Sequence, residues 1–257
     1  MSEAHRTIEG WYALHDMRRI DWRAWQALSQ QEQQEAVREA VAFLERAERA
    51  LDAAEGSSAA FAMLGHKADL MLLHLRPTVE DLLQLELEFA RTALAAVTER
   101  TTSYVSVTEL GQYTTGEPQA QPDPQKQAFI ERRLKFRIPD DMPYVSFYPM
   151  SKKREGADNW YTLPLERRRE MMYSHGAVGR AYRGQVQQLV TGSMGMDDWE
   201  WGVTLFATDA LPIKKIVQEM RFDEASARYG LFGPFYFGVR LRAAALESFM
   251  AGRFVRD

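Results

Sequence analysis

The chain predicts an α+β fold built from two ferredoxin-like halves. Three observations point to it. The order β-α-β-β-α-β can be read twice along the 257 residues. A polar, proline-rich stretch at 116–127 (GEPQAQPDPQKQ) separates the two readings and predicts a surface linker. The length is enough for one large core or two modest ones. The repeat lies in element order and not in residues, so two unrelated α+β domains remain an alternative at this level.

In the first half, residues 10–17 (GWYALHDM) predict a strand. Asp21 is placed to cap a helix running to about residue 50, with Trp22, Trp25, Leu28, Val37, Val41 and Leu44 as its buried side. Gly56 and two serines end that pattern. Residues 59–64 and 68–75 predict a hairpin turned at 65–67. Pro77 and Thr78 open a helix over 79–95, and 103–110 (SYVSVTEL) alternates as a strand does.

A basic cluster over 129–136, with Arg132, Arg133 and Lys135, follows the linker. The second half then predicts a strand at 144–150, a helix at 164–185 and a hairpin from 189–194 and 199–206 turned near Asp197 and Asp198. A helix at 211–222 and a strand at 232–241 complete it. The expected division is 1–113, a linker and basic segment at 114–140, and 141–257. A single sheet with helices on one face leaves its other face needing cover, and two such halves can supply it for each other.

Composition narrows the chemistry. Cysteine is absent, which excludes disulfides, thiolate catalysis and Cys-ligated metals. Net charge is −4, with 32 Lys and Arg against 36 Asp and Glu, so nothing suggests a general nucleic-acid surface. The five histidines are scattered without the spacing of a multi-His metal centre. No apolar run is long enough to span a membrane and no secretory pattern stands at the start, so a cytoplasmic location is expected.

The stretch 164–182 is the most informative. Met171, His175, Val178 and Tyr182 fall at i, i+4, i+7 and i+11, which sets an imidazole inside an otherwise apolar helical stripe. Gly176 and Gly179 weaken the helix but let a bulky group approach its backbone. From these residues alone, His175 is either a core histidine bonded to a carbonyl or a haem-iron ligand.

The runs 147–150 (FYPM), 159–161 (NWY), 172–176 (MYSHG), 191–193 (TGS), 198–206 (DWEWGVTLF) and 220–230 (MRFDEASARYG) resemble the coproheme decarboxylases, a branch of the chlorite-dismutase-like haem proteins. In the first half, 10–12 (GWY), 67–70 (KADL) and 104–109 (YVSVTE) resemble the same family. The resemblance implies two ferredoxin-like halves forming a dimeric α+β barrel, assembled as a homopentamer. It implies oxidative decarboxylation of two propionates of iron coproporphyrin III (coproheme) to haem b, with hydrogen peroxide as oxidant and carbon dioxide as the leaving product. Coproheme would be both substrate and redox cofactor, in the last step of haem biosynthesis. A transient contact with the coproporphyrin ferrochelatase is the partner that such a step implies.

By the same resemblance, His175 is the proximal iron ligand and Tyr148 the tyrosine that carries a radical to the propionate. A neutral imidazole is a standard axial donor for haem iron. Met150 and Lys152 follow Tyr148 on one strand face, Met150 near the ring edge and Lys152 as a propionate or proton-transfer group. Arg133, Arg180, Arg221, Tyr113 and Ser226 match positions at the propionate end or its hydrogen-bond network, where an arginine fork suits a carboxylate. A carboxylate or carbonyl is expected on the second nitrogen of His175, with glutamates near the other strands as candidates. Gln188, with Gln187 as the neighbouring alternative, stands where chlorite-degrading relatives carry an arginine. That favours peroxide chemistry over chlorite breakdown. A chlorite dismutase, a weak haem peroxidase or a haem carrier are the other readings, and a carrier has no chemical need for Tyr148. The linker is expected to gate the site.

Overall fold

The structure is a computed structural model describing residues 6–111 and 123–255. Its first elements are β1 (Thr7–Ile20), α1 (Trp22–Ala27), α2 (Gln30–Glu48), β2 (Ser57–Leu64), β3 (Leu70–Arg76), α3 (Val79–Ala90), α4 (Ala93–Ala96) and β4 (Thr98–Gly111). There follow α5 (Pro124–Leu134), β5 (Tyr144–Lys152), the two-residue strands β6 (Arg154–Glu155) and β7 (Asp158–Asn159), and α6 (Leu165–Ala181). The remainder is β8 (Val186–Gly192), β9 (Trp201–Ala207), α7 (Ala210–Met220), α8 (Glu224–Ala227), β10 (Gly230–Phe232), β11 (Tyr236–Leu241) and α9 (Leu246–Met250). The α+β class is as expected.

Two compact units are present, and they interleave in sequence. One comprises Trp11–Val105 with the described residues from Tyr236 onward; the other comprises Ser106–Phe235 with the described residues up to Gly10. The stretch 232–241, expected as one strand, is the reason. It breaks at Gly233 and Pro234, and proline lacks the N–H that a continuous ladder needs. β10 before the break pairs with β5, whereas β11 after it pairs with β2. The chain therefore does not divide simply at the 114–140 segment.

The first unit has strand order β11-β2-β3-β1-β4, with β2 and β3 antiparallel to each other and β1 antiparallel to β3. Gly65 at φ +91° makes the turn between β2 and β3, a conformation that glycine adopts without steric cost. The long helix expected after Asp21 is two helices. Ser29 and Glu32 form a capping box that starts α2, which leaves Leu28 extended. Likewise Thr92 accepts from the Ala95 N–H and starts α4, dividing the helix expected over 79–95. Trp25, Phe43, Leu44, Leu85, Phe89, Leu246 and Met250 are among the residues that fill this unit's core. Arg76 in the same unit is fully buried and makes a bidentate pair with Asp52 at 2.7 and 2.8 Å.

The second unit has strand order β4-β8-β9-β5-β10. Part of the expected linker is ordered: Asp123 caps α5 and Pro124 occupies its first turn, where a missing N–H costs nothing. The basic cluster with Arg133 thus lies on a helix. The part of that linker at 116–122, and Tyr113, lie outside the described residues. Pro164 sits at the cap of α6 rather than inside its first turn, and the helix ends at Ala181, short of 185. No helix among the described residues is long and apolar enough to cross a membrane.

Candidate functional site

Strand register sorts the second unit's sheet into two faces. In antiparallel pairs, residues directly opposite share a face. Tyr148 and Val190 both oppose Val203, Met150 and Gly192 both oppose Trp201, and Gln188 opposes Leu205. Phe232 opposes Met150, and Lys152 lies two residues beyond it on the same side. The other face carries Val145, Phe147, Leu189, Thr191, Thr204 and Phe206, all buried, with Phe136 stacked on Phe206.

The face with Tyr148 is different. Met150, Gln188, Val190 and Trp201 on it are only half-buried, as are His175 and Val178 on α6. α6 lies over this face. A Cβ added to Gly179 would sit 3.1 Å from Gln188 Nε2 and 3.5 Å from Met220 Cε. Glycine at 179 therefore lets the sheet's amide come close to the His175 helix, one turn beyond the imidazole.

His175 is held by a residue that its own sequence neighbourhood does not name. Its Nδ1 lies 2.9 Å from Asp223 Oδ2, and Ser226 Oγ is 3.4 Å from the same nitrogen. Asp223 is fixed because it caps α8 and accepts from the Ser226 N–H. Burial works to raise the Asp223 carboxyl, but the His175 hydrogen bond and charge, the Ser226 N–H and the Lys152 charge outweigh it and hold it below the usual value. When the ring is neutral, Nδ1–H donates to the anionic Asp223 and the lone pair is on Nε2. The pattern D-x-x-S at 223–226 is a readable cap signal; its contact with His175, 48 residues away, is not.

Lys152 is buried, at 7% exposure. Its Nζ donates to Ala225 O at 2.8 Å, in the turn that Asp223 caps, and lies 4.5 Å from the Trp160 ring centre. Burial lowers its pKa to about 8, against the pull of Asp223 and Glu200. Ser226 thus meets His175 Nδ1 directly, whereas Lys152 reaches the turn that carries Asp223 through Ala225 O and acts on Asp223 by its charge.

Tyr148 is buried among aromatics. Its ring stacks on Phe235 with centroids 4.4 Å apart and leans on Phe232 at 6.0 Å. The Arg221 guanidinium covers Phe232 at 3.7 Å. Burial raises the phenol to about 12, with Arg221 opposing, so the phenol is protonated at neutral pH. Arg133 donates to the Gln188 carbonyl at 2.8 Å, and so meets that residue through its backbone rather than its side chain. Arg180 stands apart, exposed on α6 with its guanidinium 5.4 Å from the Tyr173 ring.

The donor set fits an iron porphyrin. Among the described residues no three His, Cys, Asp or Glu side chains converge as a metal-binding group. A single imidazole with a free Nε2 suits an iron whose other ligands come from a macrocycle. The half-buried apolar residues between α6 and the sheet suit the faces of such a ring.

The family model described as chlorite dismutase matches residues 33–241. A structure from Thermus thermophilus, described as a novel haem-binding protein, is similar at 42% identity, with 98% of this chain and 99% of that chain covered and a TM-score of 0.90. A mutant chlorite dismutase from Candidatus Nitrospira defluvii is similar in fold at 20% identity and a TM-score of 0.76, covering 95% and 97% of the two chains. The imidazole complex of chlorite dismutase from the same organism is similar at 18% identity and a TM-score of 0.75, covering 95% and 96%.

Proposed function

The chain belongs to the chlorite dismutase family, and on that premise we propose that it is a peroxide-dependent coproheme decarboxylase that makes haem b. The observation that carries this reading is the pairing of His175, whose Nε2 is free, with a buried phenol, Tyr148, on the sheet face beneath the imidazole's helix.

Each propionate loses a carboxyl as carbon dioxide and a hydrogen from its chain, leaving a vinyl group and two electrons; one hydrogen peroxide takes up those electrons with two protons and becomes two waters. The bound iron and peroxide supply the oxidising equivalent. Tyr148 is suited to pass it on, because a phenol kept protonated by burial yields an electron and a proton together from Oη. The resulting tyrosyl group can take a hydrogen atom from the propionate chain, and the second electron, released as carbon dioxide leaves, would go to the remaining oxidising equivalent of the peroxide. Phe232 and Phe235 restrict the ring to one orientation while it does so.

Arg133, Arg221 and Lys152 are proposed to favour the anionic substrate, with Arg180 and Tyr113 as further propionate-end groups. Met150 is proposed to pack at the ring edge. Gln188, a neutral amide, would face the peroxide side and gives no cationic hold for a chlorite-derived anion. A cytoplasmic homopentamer is part of the same proposal.

The test adds ferric coproporphyrin III to the protein, titrates hydrogen peroxide and follows the porphyrin by mass spectrometry. Successive loss of two carboxyl groups supports the reading. Intact coproporphyrin, together with oxygen release from added chlorite, would replace it with chlorite dismutation.

A further inference from the structure

One carboxylate of the second unit has no part in the chemistry above. Glu109, on β4, shares the site face, since Val107 two residues earlier opposes Gly192. Its Oε1 accepts from Trp201 Nε1 at 2.9 Å. The pair is enforced from below. A Cβ at Gly192 would sit 2.5 Å from the Glu109 carboxyl carbon, so only glycine leaves room for the carboxylate beside the indole. Gly192 is also the residue directly opposite Trp201 in the β8–β9 ladder.

Trp201 is well placed for more than packing. It opposes Met150, and so lies diagonal to Tyr148, which opposes the next same-face residue, Val203. Diagonal neighbours on one face lie about 7–8 Å apart, within reach of aromatic side chains. Indole and phenol are both oxidisable by one electron. An indole that loses an electron becomes a strong acid at its N–H, and a carboxylate already bonded to that hydrogen can take it without movement. Burial outweighs the Trp201 hydrogen bond, which pulls the other way, and with the Glu9 charge adding to it holds the Glu109 carboxyl above its ordinary value, which makes it the better proton acceptor.

We propose that Trp201 and Glu109 form a proton-coupled redox pair that exchanges an electron with Tyr148 and with a peroxide-derived oxidant at this sheet face. In the forward step Trp201 loses one electron, which reduces the oxidant by one; the Nε1–H bond breaks and the proton forms an O–H bond on Glu109. When the Tyr148 phenol returns an electron to the indole, the proton on Glu109 returns to Nε1 and the phenol's own Oη–H proton goes to the reduced peroxide-derived oxidant, which has then gained one electron and one proton. The source of the oxidant rests on the function proposed above, whereas the pair itself does not.

The test therefore has two arms. In the first, ligand-free protein is oxidised by flash-generated ruthenium(III) tris-bipyridine and followed by transient absorption. A promptly deprotonated indolyl radical is expected in the wild type. Trp201→Phe should lose that prompt component, leaving only the slower signals of the other tryptophans, and Glu109→Gln should convert it to the protonated radical cation. Gly192→Ala, which displaces the carboxylate while keeping both partners, should behave as Glu109→Gln does. A prompt component unchanged in Trp201→Phe, or one equally deprotonated in both Glu109→Gln and Gly192→Ala, would overturn the proposal. In the second arm, Tyr148→Phe protein with ferric coproporphyrin III is frozen after peroxide addition for electron paramagnetic resonance. A tryptophan radical that vanishes in Tyr148→Phe/Trp201→Phe is expected, and its persistence would overturn the assignment to Trp201. Failure of the wild type to decarboxylate coproheme, with the flash results intact, would strike the proposed function alone.

Discussion

Asp223 Oδ2 accepts the hydrogen of His175 Nδ1 at 2.9 Å, and Asp223 is itself immobilised as the N-cap of α8. The imidazole is therefore held in rotation, and a neutral ring held this way keeps its proton on Nδ1. A carboxylate behind a ligating histidine also raises the basicity of the nitrogen that meets the metal.

Asp223→Asn should fold but bind ferric coproporphyrin III about 10–100-fold more weakly, the usual cost of losing such a partner. Optical titration of the iron porphyrin band measures it. Unchanged affinity would mean that Asp223 serves only the α8 cap. Ser226→Ala, which removes the longer 3.4 Å contact, should have a smaller effect.

Lys152→Met should loosen the turn at Ala225, because the 2.8 Å bond from Nζ to Ala225 O ties that turn to β5. The expected result is a broadened distribution of His175 orientations, seen as heterogeneous axial ligation in the resonance Raman spectrum of the ferrous porphyrin complex. A single unshifted iron–histidine band would show that Lys152 does not act through Asp223.

The elements that carry this site were legible in the sequence, and what was not follows a pattern. The strand expected at 144–150 and the stripe through Met171, His175 and Val178 each concern one element, and the structure has a strand and a helix there. The breaks at Ser29 and Thr92 were missed although S-x-x-E at 29–32 announces the first, because an apolar period can continue across a cap. Asp223 on His175, Glu109 on Trp201 and Arg76 on Asp52 were not legible. Each joins residues from separate elements, and neither partner's own neighbourhood encodes the other. The departure of β11 to the first unit was equally hidden, since Gly233 and Pro234 mark a break but not where the chain goes next.

The fully buried Arg76 is neutralised by the Asp52 carboxylate, with the carbonyls of Ala47, Ser57 and Leu75 taking its other hydrogens. Asp52→Ala should cost about 3–5 kcal/mol in denaturant unfolding, because it leaves a charge in the core. Asp52→Ala/Arg76→Met should recover a large part of that loss. Equal instability of the single and double variants would contradict this reading of the pair.

Two buried histidines set an acid limit. Burial lowers both His15 and His74 to about 3, with Arg76 adding to the effect at His74. Folded, they stay neutral where the unfolded chain would bind a proton, so the unfolded state is favoured as pH falls. Their contribution is complete above the unfolded value near 6.5 and is lost between there and about 3. The slope should approach about 1.4 kcal/mol per pH unit for each histidine. His74→Phe should flatten it over that range in unfolding measured by tryptophan fluorescence; an unchanged slope would contradict the assignment.

A single-turnover experiment on Tyr148→Phe bears hardest on the proposed role of the phenol. The variant is loaded with ferric coproporphyrin III, mixed with a measured excess of hydrogen peroxide, and the porphyrin is weighed by mass spectrometry beside the wild type. Normal iron porphyrin binding through His175 and no loss of carboxyl groups is the expected result. Two carboxyl groups lost at the wild-type rate would show that decarboxylation does not pass through Tyr148.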